Sequence, residues 1–179
     1  MEALKIAITC ILAAVFYGIV HDQVTARICL EYFTIFHPPI FHTQSATLLG
    51  IGWGIVATWW VGVFFAVPMI LVSRAGSRPV LRASQLLAPI ACLLAAMAVS
   101  AVLFGITGYL LARSGVLATD WLIFTTSPTL RYRFMADWWA HSASYGTAFI
   151  GGAVLCVRTY RRRLASSPSE RECQDPRPA

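Results

Sequence analysis

The sequence holds four histidines, His21, His37, His42 and His141, and two of them stand beside carboxylates at spacings that suit chemistry. Asp22 follows His21 directly, and Asp137 precedes His141 by four residues. Residues four apart share a helix face, so Tyr17, His21 and Thr25 form one stripe and Asp137, His141 and Tyr145 form another. Three chemistries fit these types. A divalent metal takes His21, His141 and a carboxylate from Asp22, Asp137 or Glu31, with a position left for water; this mixed N/O set suits Zn, Fe or Mn. Without a metal, Asp137 orients His141 as a general base, with Tyr145 on the same face as a third catalytic candidate. A haem held by His21 and His141 is the third. His37 and His42 flank Pro38-Pro39 and could complete an outer metal site. Neither H-E-x-x-H nor G-x-S-x-G occurs. The same residue types also serve as clasps between helix ends: Asp22 or Asp137 with Arg27, Arg131 or Arg133, and His21 with Tyr145.

These side chains need a frame, and the composition supplies a membrane one. Hydrophobic residues make up 58% of the 179, charged residues 12%, and mean hydropathy is +0.66, the profile of an integral membrane protein. Four apolar runs are long enough to cross a hydrocarbon core, at residues 3–20, 46–72, 85–112 and 134–157. The expected fold is therefore an all-α integral membrane protein, a bundle of four transmembrane helices spanning residues 1–164, followed by a disordered polar tail at 165–179. The first run is too long and lacks the small-residue cleavage site of a signal peptide, so it reads as a retained span. Sixteen residues separate Lys5 from His21 and seventeen separate His141 from Arg158. At 1.5 Å per residue each histidine stands about 25 Å from its basic marker, which puts both at one level near the outer edge of the bilayer.

Charge orients the frame. Of 14 basic residues, ten flank one side: Lys5, then Arg74, Arg78 and Arg82, then Arg158, Arg161, Arg162, Arg163, Arg171 and Arg177. That asymmetry places both termini in the cytoplasm, and thirteen Arg against one Lys with no Asn suit a GC-rich bacterial genome, so the expected setting is a bacterial inner membrane with the histidines at the periplasmic face. The basic residues flank spans and do not form an aromatic-laced surface, so nucleic acid is excluded as a partner; the bilayer, and anionic lipids at the basic loops, are the expected ones. Five cysteines show no pairing pattern. Gly50, Gly52, Gly54 and Gly62 in the second run, spaced two and four apart, and the alanines of the third, suit close helix packing, within the protein or with other membrane subunits or a second copy. The outer runs ICLEYFTIF (28–36) and WLIFTT (121–126) are rich in β-branched and aromatic residues and are expected as extended segments or a small β-hairpin. Two functions fit: a structural or accessory subunit with a polar His/Asp cluster, or a small membrane enzyme using that cluster as a metal or acid/base site.

Overall fold

The computed structural model describes residues 1–165, and among the described residues every regular element is a helix, with no strand. In order come α1 (Glu2–Ile28), α2 (Leu30–Thr34), α3 (Ala46–Val56), α4 (Trp59–Arg74), α5 (Ser84–Arg113) and α6 (Pro128–Ala165). The tail expected to be disordered lies outside the described residues apart from Ala165, which ends α6. Three helical stretches are long and apolar enough to cross a membrane: Glu2–Ile28, Ala46–Arg74 and Ser84–Arg113. The chain is thus a membrane protein by length and apolarity of its helices.

Small residues set how α1 meets α3 and α4. Gly50, Gly54, Thr58 and Gly62 recur every four residues and turn one narrow face toward α1. A Cβ added at Gly54 would stand 2.5 Å from the Cα of Ile19, and one at Gly62 would stand 2.6 Å from the Cα of Ile11. The backbones touch, as small residues permit where lipid supplies no hydrophobic drive. The stretch is not one smooth helix: Ala57 and Thr58 interrupt it, the Thr58 amide turning to the Ile55 carbonyl at 3.3 Å and its hydroxyl to the Gly54 carbonyl. Pro68, in contrast, sits inside α4 without ending it. Trp59 and Trp60 beside the interruption are half exposed on the outside of the bundle.

α5 and α6 form the second pair, joined through Gly105 and Gly108 against the Met135 and Ala136 carbonyls and Trp139. A Thr147 to Ser100 hydroxyl bond of 2.8 Å adds a polar tie between them. Pro128 opens α6, where a missing amide proton costs nothing.

The outer sheet expected between residues 28–36 and 121–126 does not form. Cys29 is the only extended residue between α1 and α2 (φ −142°, ψ 98°), and it turns the chain back across the bundle. Residues 30–34 then coil, which buries the adjacent pair Tyr32 and Phe33 together over α6. A strand would send neighbours to opposite faces. The amides of Ile35 and Phe36 close onto the Glu31 carbonyl, leaving no ladder to offer a second strand. The 121–126 run is a chain of turns in which Trp121 Nε1 donates to the Ala118 carbonyl.

At the opposite end of the bundle Arg163 is buried, 1% exposed, and its guanidinium donates to the carbonyls of Val72, Ala75, Arg78 and Pro79 at 2.8–3.0 Å. It closes the α4–α5 turn against α6.

Candidate metal centre

Two helices carry the polar cluster. α1 presents His21 and Asp22, and α6 presents His141, where the helices lie side by side. Gly50 fixes this end of α1: a Cβ there would stand 2.9 Å from the Asp22 carbonyl, so α3 presses the Asp22 turn toward α6. The rings of His21 and His141 meet edge to face at 4.5 Å. One donor atom from each of His21, Asp22 and His141 falls within 4.8 Å of the other two.

Hydrogen bonding orients the ring of His141. Its Nδ1 lies 2.8 Å from the backbone carbonyl of Asp137, one turn earlier. A carbonyl only accepts, so Nδ1 carries a proton and donates, and Nε2 points the other way. There it faces Asp22 Oδ1 at 3.3 Å. Two acceptors at that range repel unless a proton or a cation sits between them. A charge-assisted N–H···O bond closes to about 2.7–2.9 Å. Two ligands each about 2.1 Å from a tetrahedral metal stand about 3.4 Å apart. The 3.3 Å separation fits an ion pair as well as the edge of a coordination polyhedron. His21 Nε2 is also buried, without a hydrogen-bond partner.

The surroundings are built to hold these rings. Tyr32 of α2 stacks on His141 at 4.6 Å, and Tyr17 stacks on His21 at 5.7 Å. The Tyr17 hydroxyl is 2.7 Å from Ser144 Oγ, a second tie between α1 and α6 one turn below the rings. His37, in the loop after α2, donates from Nδ1 to the Tyr32 carbonyl at 2.8 Å and packs its ring on Trp53 at 4.5 Å. Burial holds the His37 ring below the ordinary histidine value, against a smaller opposing effect of its bond to Tyr32. His21, Asp22, His37, His141, Ser144 and Tyr145 line one cavity of about 90 Å³. That is room for roughly three waters at their liquid share of volume.

The expected residues divide cleanly. His21, Asp22 and His141 come together, and Tyr145 and His37 border the same cavity. Glu31 does not join them; its carboxylate accepts from Cys29 Sγ at 3.6 Å. Asp137 holds His141 through its carbonyl, not its carboxylate, and both of its carboxyl oxygens are fully buried without a hydrogen-bond partner. His42 is exposed. The arginine clasps are absent too: Arg27 bonds Gln23 and Thr47, and Arg131 pairs with Asp120 at 2.9 Å. Tyr32 and Ser144 were not anticipated. Ser144 lies three residues after His141, on the same face, so spacing alone could have found it; Tyr32 needed the turn at Cys29.

No protein-family model, no curated protein and no solved structure matches this chain.

Proposed function

We propose that the chain is a four-span protein of the bacterial inner membrane that binds one divalent transition metal at its periplasmic end and acts there as a small membrane enzyme. α6 is the fourth span. Its mean apolarity is lowered by six arginines near its two ends and by Asp137, His141 and Ser144; those last three are buried, while Phe149, Ile150, Val154 and Val157 are exposed and apolar. Polar inside and apolar outside is the pattern of a helix that crosses lipid and lines a site. Lys5, the 74–82 turn and residues 158–163 then lie on the cytoplasmic side with both termini, where their arginines meet anionic headgroups. Arg163 is withdrawn from that set by its burial.

The observation that carries the metal is His141 Nε2 aimed at Asp22 and beside His21 while Nδ1 is held by a backbone carbonyl. Metal-bound histidines characteristically donate their second ring nitrogen to such a carbonyl, which fixes the ring and its tautomer. Two imidazoles and a carboxylate leave coordination positions open for water or a substrate oxygen, as catalytic Zn and Fe(II) sites do. The structural reading keeps one observation of its own: with a second proton on His141, the 3.3 Å contact becomes an ion pair clasping α1 to α6.

Metal analysis of the detergent-purified protein separates the two. One metal per chain, lost in both His21→Ala and His141→Ala, is the expected result. A metal-free parent protein whose two variants only melt earlier would leave the clasp.

A further inference from the structure

At the Arg163 end of the bundle a groove of about 590 Å³, the size of a ligand pocket, runs between α5 and α6. The two helices are antiparallel, so both walls change character together. Gln85 of α5 stands with Arg158, Thr159 and Arg162 of α6 at the basic end, while Pro89 and Leu93 face Gly151 and Val154 deeper in. Leu93 rests on the bare backbone of Gly151, where a Cβ would collide with it, and this fixes the level at which the walls meet. Eleven residues of α6 separate Arg162 from Gly151, or about 16 Å, the depth of one leaflet in a core about 30 Å thick. Every polar side chain on the groove has a donor to offer, and no carboxylate lines it. Gln85 Oε1 accepts from the Arg82 amide at 2.8 Å, which leaves its side-chain NH2 to donate. Arg158 and Arg162 stand four apart on one helix face, a like-charge pair that an anion between them stabilises. Thr159 is only 5% exposed, and its hydroxyl makes no hydrogen bond. The hydroxyls of Thr9, Thr25, Thr34, Thr58 and Thr107 all turn back to the carbonyl four residues earlier. That of Thr159 does not, and it lines the groove beside the arginines.

We infer that this groove seats one anionic glycerophospholipid of the leaflet at the Arg163 end, its phosphate held by Arg158, Arg162, Gln85 and Thr159 and an acyl chain laid between α5 and α6. The inference sharpens the headgroup contact proposed above into a single site, and it is independent of the metal. Charge and depth select the occupant. Donors gather at headgroup level, where arginines hold phosphate well, and apolar walls follow for the length of one leaflet along α5, a helix long and apolar enough to span. A second copy of the chain fits poorly, because in the same membrane it presents the same basic end. Among the described residues the only carboxylate at that end is Glu2, already held by Lys5 at 2.8 Å and by the Ala83 amide at 3.2 Å. A free phosphate uses the donors and leaves the apolar length empty.

The test titrates delipidated full-length protein in neutral detergent with phosphatidylglycerol, with phosphatidylcholine of the same chains, and with glycerophosphate. Bound lipid is counted by native mass spectrometry, and the melting temperature of each lipid-free variant checks that it folds. One phosphatidylglycerol per chain should bind roughly tenfold more tightly than phosphatidylcholine, and glycerophosphate at equal concentration should not displace it. Arg158→Gln should remove most of that preference. Thr159→Val, which keeps the buried volume, should reduce it roughly threefold. Arg161→Gln, the same charge change at an exposed position off the groove, should leave it intact. Equal losses in Arg158→Gln and Arg161→Gln, or a preference that survives Arg158→Gln or Thr159→Val, overturn the site and leave only a diffuse headgroup contact. Displacement by glycerophosphate overturns the lipid in favour of phosphate alone. No preference in the parent protein overturns the site and the headgroup contact together.

Discussion

α6 carries a buried polar group near each end, and the bundle treats them in opposite ways. Each nitrogen of the Arg163 guanidinium donates to at least one carbonyl, four bonds in all from its five N–H groups. Around His141 the same helix leaves valence unspent: His21 Nε2 and both carboxyl oxygens of Asp137 are buried with no partner, and His141 Nε2 faces the Asp22 carboxylate. The one orphan near Arg163 is the Ser73 hydroxyl, a weaker group. A buried polar atom without a partner costs about 1–3 kcal/mol, and the bundle fastens Arg163 but leaves three atoms unpaired at the other end. The contrast sets a fastening at one end against the proposed binding site at the other.

Substitutions at the two ends test that contrast. The largest effect belongs to Asp22→Asn. A side-chain amide can donate to His141 Nε2, so the α1–α6 contact gains a hydrogen bond while the metal loses its carboxylate. Metal affinity should fall by about a hundredfold with thermal stability of the metal-free protein held or raised; a marked loss of stability would instead reveal an ion-pair clasp. Arg163→Met should do the reverse, costing roughly 3 kcal/mol in denaturant unfolding by stranding four carbonyls, with metal content untouched. Gly54→Ala pushes a methyl into the α1 backbone at Ile19. It should cost about 2 kcal/mol and loosen metal binding together with stability, because α3 seats Asp22. The smallest effect is on pH dependence. Since burial lowers the native pKa of His37, the unfolded chain takes up a proton first as pH falls through about 6.5, and the folded state loses stability from there downward. His37→Gln should flatten that part of a melting-temperature profile and leave the rest.

Parts of this arrangement are visible in the sequence because they depend on distances along single helices. Counting rise from Lys5 and from Arg158 puts His21 and His141 at one depth, and their rings do meet at 4.5 Å. The four-residue recurrence of Gly50, Gly54 and Gly62 likewise marks a close packing face whichever helix it meets. What a sequence hides is the choice among carboxylates and the turn that roofs the site. Asp22, Asp137 and Glu31 are chemically equivalent candidates, and only the rotation of α1 against α6 decides that Asp22 faces His141. Residues 28–36 have strand-like composition, yet one extended residue at Cys29 lets Tyr32 and Phe33 bury together, and that burial outweighs β-propensity. The groove between α5 and α6 is also invisible in one dimension, because it is a space between two helices rather than a property of either.

The two ends of α6 lie on one uninterrupted helix, twenty-two residues from His141 to Arg163, or about 33 Å. One end is tied to α1 and α2 and the other to the α4–α5 turn. Sliding α6 past its neighbours would part His141 from Asp22 and break four bonds to carbonyls at once, so the helix acts as a spine that moves only with the bundle as a whole.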